Sequence, residues 1–175
     1  MKVVLVSDMF GKYGDVGYMR DWNRFFCSQG FAVFEVWVSD FIPGAYSPLI
    51  RDGLHDRITE NSNISLAKSG LSRVLHEIRP DLVVGFSYGG YISFLASLDF
   101  DFYLSCISST RLRFVDGFFL RSRSFFAFAE GDSFLLDGLK DCSDSVLFFD
   151  GFDHDFYKDP SVSGEVVLKR FYGEG

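Results

Sequence analysis

The feature that most constrains this chain is a recurrence of six short runs dominated by Val, Leu and Phe: VVLVSD (3–8), FAVFEVWV (31–38), DLVVGFS (81–87), FYLSCISS (102–109), SFFAFAEGD (124–132) and SVLFFDGF (145–152). Their apolar residues are continuous rather than alternating, as in strands covered on both faces. Helical periodicity fills the gaps. Tyr18, Trp22, Phe25 and Phe26 share one stripe, with Asp15 as an N-cap and Gly30 where a terminating glycine is wanted. Ile64, Ala67, Leu71, Val74, Leu75 and Ile78 repeat at three and four, with Asn or Thr capping upstream and Arg79-Pro80 as the exit. Shorter helices are predicted over 89–98, 133–140 and 162–172. Parallel neighbours need a crossover, usually a helix, so the pattern predicts an α/β fold: a doubly wound, mostly parallel six-stranded sheet with helices on both faces. At 175 residues the chain is expected to form one domain over 1–175.

Charge and cysteine content narrow the partners. The net charge is −7 and no run of Lys or Arg forms a basic stripe, which argues against a nucleic-acid partner. The opening MKVVLVSD reaches an acidic residue too soon for a signal segment or a membrane span, so a cytoplasmic protein without a membrane partner is expected. Cys27, Cys106 and Cys142 are odd in number and lack C-x-x-C spacing, which predicts neither a disulfide framework nor a metal site. No organic cofactor is expected, and the composition carries no signal for an oligomeric state.

In a doubly wound sheet the crevice lies beyond the carboxyl ends of the strands, where the winding reverses. For a strand order of 2-1-3-4-5-6, the loops after the first and third strands meet there. The third run continues as GFSYGG, with Ser87 between Gly85 and Gly89. G-x-S-x-G is a weak signal alone; between a strand and a helix it predicts a sharp turn, with glycines relieving the crowding and the serine Oγ exposed. The Tyr88 amide then opens a helix and is placed to donate to an oxyanion. A serine nucleophile needs a base. His55 and His76 precede it, whereas His154 falls on the loop leaving the last strand. The orienting acid is expected between Ser87 and His154. Asp132, ending FAEGD, is preferred, with Glu130 and Asp137 as rivals.

Taken together, VSDMFG before a helix, QGFAVFEVWV, GFSYGGY, FAEGD and the ending GFDHDFYKDPS resemble the α/β-hydrolase superfamily, within it the dienelactone-hydrolase-like group, over nearly the whole chain. The resemblance implies a compact α/β-hydrolase fold lacking the usual leading strands and a triad of Ser87, Asp132 and His154. It also implies oxyanion donors at the amides of Tyr88 and Phe10. Asp8 takes a position where that group often carries an acidic residue near the nucleophile. The namesake enzymes carry a cysteine where this chain has Ser87, so lactone chemistry is not implied. The segment TRLRFVDGFFLRSR is too brief for a full helical lid, and the long 39–61 connection, with Phe41, Ile42, Tyr46, Leu49 and Ile50, is placed to wall the pocket.

The expected activity is hydrolysis of a small-molecule carboxylic ester or thioester through an acyl-enzyme. The alternatives are an acyl-CoA or carrier-protein thioesterase, and a non-catalytic ligand- or protein-binding module on the same fold. Arg111 and Arg113, just past the fourth strand, are candidates for binding an anionic part of the substrate, with Lys158 nearby.

Overall fold

Six parallel strands carry the architecture: β1 (Lys2–Val6), β2 (Ala32–Val36), β3 (Leu82–Phe86), β4 (Tyr103–Ile107), β5 (Ser124–Ala129) and β6 (Val146–Phe149). The computed structural model describes residues 1–45, 53–115, 123–133 and 145–173, the side chain of Arg113 excepted. The strand order is β2-β1-β3-β4-β5-β6, and every pairing is parallel. Winding therefore reverses between β1 and β3. All but the first residue of the expected helix over 133–140 lies outside the described residues, as do Asp137, Cys142 and the loop residues Tyr46, Leu49 and Ile50.

Period-two geometry splits each continuous run between two cores. Val3 and Leu5 face one side with Leu82, Val84 and Phe86; Val4 and Val6 face the other with Val83. The first face is covered by α1 (Gly17–Ser28), through Tyr18, Met19, Trp22 and Phe26, and by α5 (Pro160–Tyr172), through Val167 and Leu168. The opposite face is covered by α2 (Leu54–Thr59), α3 (Asn61–Ile78) and α4 (Tyr88–Ser97), chiefly through Ile58, Ala67, Leu71, Ile92 and Phe94. No helix among the described residues is long and apolar enough to cross a membrane.

Helix ends follow their local chemistry. Asp15 is not the N-cap of α1, since Val16 holds that position, yet its carboxylate accepts from the Gly17 amide at 2.8 Å. Gly30 takes φ 81° just beyond α1. Glu60, not Asn or Thr, stands at the N-cap of α3 and makes no side-chain cap, whereas Arg79 ends that helix in the left-handed region, as the Arg79-Pro80 exit implied. α5 begins two residues earlier than expected. Pro160 suits the first turn because it has no amide to leave unpaired, and Asp159 caps it by accepting from the Ser161 amide at 2.9 Å. The 39–61 connection was read as loop but contains α2, which buries Leu54 and Ile58 at a spacing of four.

Candidate active site

β3 runs into α4 with one residue between them, and that residue is Ser87. The turn is tight because β3 and the first turn of α4 are in backbone contact. A Cβ on Gly85 would lie 2.6 Å from Gly90 Cα, and one on Gly89 would overlap the carbonyl oxygens of Val6, the last residue of β1, and Ser7 just past it. Ser87 adopts φ 50°, ψ −116°, a conformation that non-glycine residues avoid at a cost of about 1–3 kcal/mol. Its backbone is clamped: the amide donates to the Ile107 carbonyl at 2.9 Å, and the carbonyl accepts from the amides of Gly90 and Thr110. The Oγ is thereby presented at the carboxyl edge of the sheet.

Two loops from neighbouring strands meet it there. Asp132 follows β5 and is almost wholly buried; His154 opens a 3-10 turn over residues 154–158 after β6. His154 Nε2 lies 3.0 Å from Ser87 Oγ, and Nδ1 lies 2.7 Å from Asp132 Oδ2. A carboxylate only accepts, so Nδ1 carries the proton in this pairing and Nε2 is left as the acceptor facing the serine. The three residues singled out in the sequence are thus joined in one hydrogen-bonded chain. Glu130 lies beside them in sequence but is exposed. His76 sits in the last turn of α3, at the amino edge of the sheet, away from Ser87. His55 belongs to α2 rather than to a loop; it lines the same cavity as Ser87 and pairs with Asp56 at 3.2 Å.

The Tyr88 amide belongs to the first residue of α4, where helix geometry supplies no internal acceptor. The Tyr88 ring is buried beneath it, and its hydroxyl donates to the Ile58 carbonyl of α2 at 2.8 Å. Burial pushes this phenol well above its ordinary range. The Gly11 amide donates to the Asp8 carboxylate at 3.0 Å. A buried carboxylate recruits the nearest amide, and the φ 50° turn at Gly11 brings it round. The Phe10 amide acts on the same carboxylate, lowering its pKa, and Phe10 itself lines the cavity. Met9, one residue earlier, lines it too.

Asp8 is the centre of a buried network not legible in the sequence. Tyr157 donates its hydroxyl to Asp8 Oδ2 at 2.8 Å, the Asp8 amide donates to the Tyr18 hydroxyl at 2.9 Å, and Trp22 Nε1 donates to the Tyr157 carbonyl at 2.7 Å. Burial raises the Asp8 pKa above the usual carboxylate range, with Tyr157, the two amides and Lys158 pulling it back. Tyr157 lies in the same turn as His154, their rings edge to face with centroids 5.9 Å apart. The one hint in the sequence was the position of Tyr157, three residues beyond the histidine.

Ser87 and His154 open on a cavity of about 450 Å³ whose apolar walls include Met9, Phe10 and Phe114. Arg111 lines it as well, just past β4; the side chain of Arg113 lies outside the described residues. Lys158, also on the cavity, is paired with Asp155 at 2.6 Å.

Neither a family model nor a curated protein sequence matches the chain. Among solved structures it resembles a protein of the α/β-hydrolase superfamily from Xanthomonas campestris pv. campestris, with 13% identity and a TM-score of 0.65 over 99% of this chain and 96% of that one. It also resembles the esterase domain of a Rhodothermus marinus protein, with 14% identity and a TM-score of 0.59 over 97% of this chain and 86% of that one. A third similar structure is a dienelactone hydrolase-like promiscuous phosphotriesterase from metagenomic libraries, with 16% identity and a TM-score of 0.56 over 99% of this chain and 82% of that one. Strand order, the turn at Ser87 and these likenesses agree: the chain has the α/β-hydrolase fold.

Proposed function

We propose that the protein is a serine hydrolase that cleaves a small-molecule carboxylic ester or thioester through an acyl-enzyme. The observation that carries this reading is the unbroken chain from Ser87 Oγ to His154 Nε2 (3.0 Å) and from His154 Nδ1 to Asp132 Oδ2 (2.7 Å), opening on a cavity. Ser87 Oγ attacks the carbonyl carbon while Nε2 accepts the hydroxyl proton; Asp132 holds the ring and balances the imidazolium charge. The Tyr88 amide donates to the oxyanion, with a second donor from the first loop, where Phe10 and its neighbour Met9 both line the cavity. Collapse expels the alcohol or thiol, which takes the proton from Nε2. Water, deprotonated at the same nitrogen, then attacks the acyl-enzyme, releasing the acid and returning the proton to Ser87.

The test is labelling with a fluorophosphonate, followed by turnover of aryl esters and acyl thioesters by wild type and Ser87→Ala. Wild type should label and turn over, and Ser87→Ala should do neither while melting at the same temperature. A wild type that fails to label and cleaves none of them would leave a non-catalytic binding module as the better description.

A further inference from the structure

We propose that Arg111 grips a carboxylate on the substrate, remote from the scissile bond, so that the site selects anionic esters. The inference rests on the hydrolase reading and names its substrate class. Its ground is an accounting of the charges around the cavity. Lys158 is paired with Asp155, His55 with Asp56, and the Asp15 carboxylate accepts from the Gly17 amide. Asp8 is held by Tyr157 and the Gly11 amide. The Arg111 side chain alone among these cavity charges has no ionic or hydrogen-bonded partner among the described residues. Its Nε is buried without an acceptor, so the group has lost water on one side and gained no anion in exchange.

The side chain is nevertheless held in place. Its guanidinium lies 4.9 Å from the ring centroid of Phe114 and 5.9 Å from that of Tyr91, within cation–π range of both. Its backbone is left-handed, φ 64°, a conformation a long side chain occupies only at a cost. The preceding residue, Thr110, donates its amide to the Ser87 carbonyl at 3.3 Å, so Arg111 is tethered next to the nucleophile. A chain of net charge −7 repels anions at long range, and this arrangement supplies the local exception. A planar guanidinium matches a carboxylate with two parallel hydrogen bonds. A cavity of about 450 Å³ leaves room for a short spacer between that group and the reacting carbonyl.

The experiment compares two matched pairs on wild type, Arg111→Gln and Arg111→Lys. One pair is 4-nitrophenyl hexanoate and the mono-4-nitrophenyl ester of adipic acid; the other is phenyl acetate and 4-carboxyphenyl acetate. Wild type should prefer the charged member of at least one pair. Arg111→Gln should lower that preference, as a ratio of kcat/KM values, about 10- to 100-fold, the scale of a lost charge-assisted bond, and Arg111→Lys should restore part of it. Competition on wild type needs no variant: adipate should inhibit hydrolysis of the neutral ester more strongly than adipamide. A wild type that labels with fluorophosphonate but shows neither charge preference nor carboxylate inhibition overturns the Arg111 assignment alone. A wild type that neither labels nor hydrolyses any ester removes the hydrolase reading, and this proposal with it.

Discussion

Replacing Tyr157 by Phe removes one hydroxyl and little else, because the ring contacts with Tyr18 (5.3 Å) and Phe86 (6.0 Å) do not need it. What is lost is the 2.8 Å bond to Asp8 Oδ2, in a residue that is only 5% exposed. A hydrogen bond to a buried charge contributes about 1.5–3 kcal/mol, and for a domain of this size each kcal/mol moves Tm by about 2–4 °C. Tyr157→Phe should therefore lower Tm at pH 7 by about 3–12 °C. The pH dependence follows from the direction of the Asp8 shift. Burial raises its folded pKa above the unfolded value, so the native state binds the proton more tightly. Ionising Asp8 then costs stability; the cost is absent below the unfolded pKa, about 4, and complete above the folded one. Losing the Tyr157 bond, which pulls the pKa down, raises it further and enlarges the cost at neutral pH. At about pH 3, below the unfolded pKa, the carboxyl is protonated in both states, and the variant loses only a neutral bond of about 1 kcal/mol, so the gap in Tm should narrow to about 2–4 °C. Scanning calorimetry of both proteins at the two pH values decides. Equal Tm at pH 7, or a gap that widens on acidification, would refute the account of Asp8 as a buried charge held by Tyr157.

Three further outcomes are expected. His154→Ala should lose at least about 10⁴-fold in kcat, and the double variant with Ser87→Ala should fall little further, since nucleophile and base act as a unit; additive losses would argue against that coupling. Gly89→Ala should cost about 3 kcal/mol in a denaturant titration, the upper end of overpacking, because the obstructing atoms are the backbone carbonyls of Val6 and Ser7 at the end of β1; a cost below 1 kcal/mol would mean that β1 and α4 can separate. Cys106 is wholly buried, and burial pushes its thiol far up, so iodoacetamide should modify the exposed Cys27 and leave Cys106 untouched until the protein is denatured; mass mapping of the native protein would reveal a contrary result.

The sheet was legible because each strand is a continuous apolar run and each main crossover helix carries its own periodicity. Strand order was only a condition of the sequence reading; the observed order β2-β1-β3-β4-β5-β6 places the ends of β1 and β3 side by side. The Ser87 turn was legible for a steric reason, since glycines two residues to either side are what a strand entering a helix requires. His154 and Asp132 were found because parallel strands deliver the residues that follow them to the same edge. What escaped was tertiary. The turn of the Gly11 amide toward Asp8 depends on how deeply that carboxylate is buried, which no local pattern records. The bond between Tyr157 and Asp8 spans nearly the whole chain. α2 was missed because six residues carry too short a repeat to stand out from a loop, and the start of α5 because its apolar stripe begins later than its Asp-Pro entry.

The histidine-bearing turn hangs from β6, a strand of four residues at the edge of the sheet, whose single neighbour among the described residues is β5. Edges are where a sheet opens first, and a site rooted there would flicker out with every local opening. Trp22 and Asp8 hold Tyr157 from α1 and the end of β1, so the turn is fastened to the interior of the sheet rather than to its rim. Backbone amides of β6 can then exchange with solvent many times while His154 stays in register with Ser87. For the proposed hydrolase, the lifetime of activity would then be set by the opening of the α1–β1 unit, and amide exchange there, not at the edge, should keep pace with inactivation.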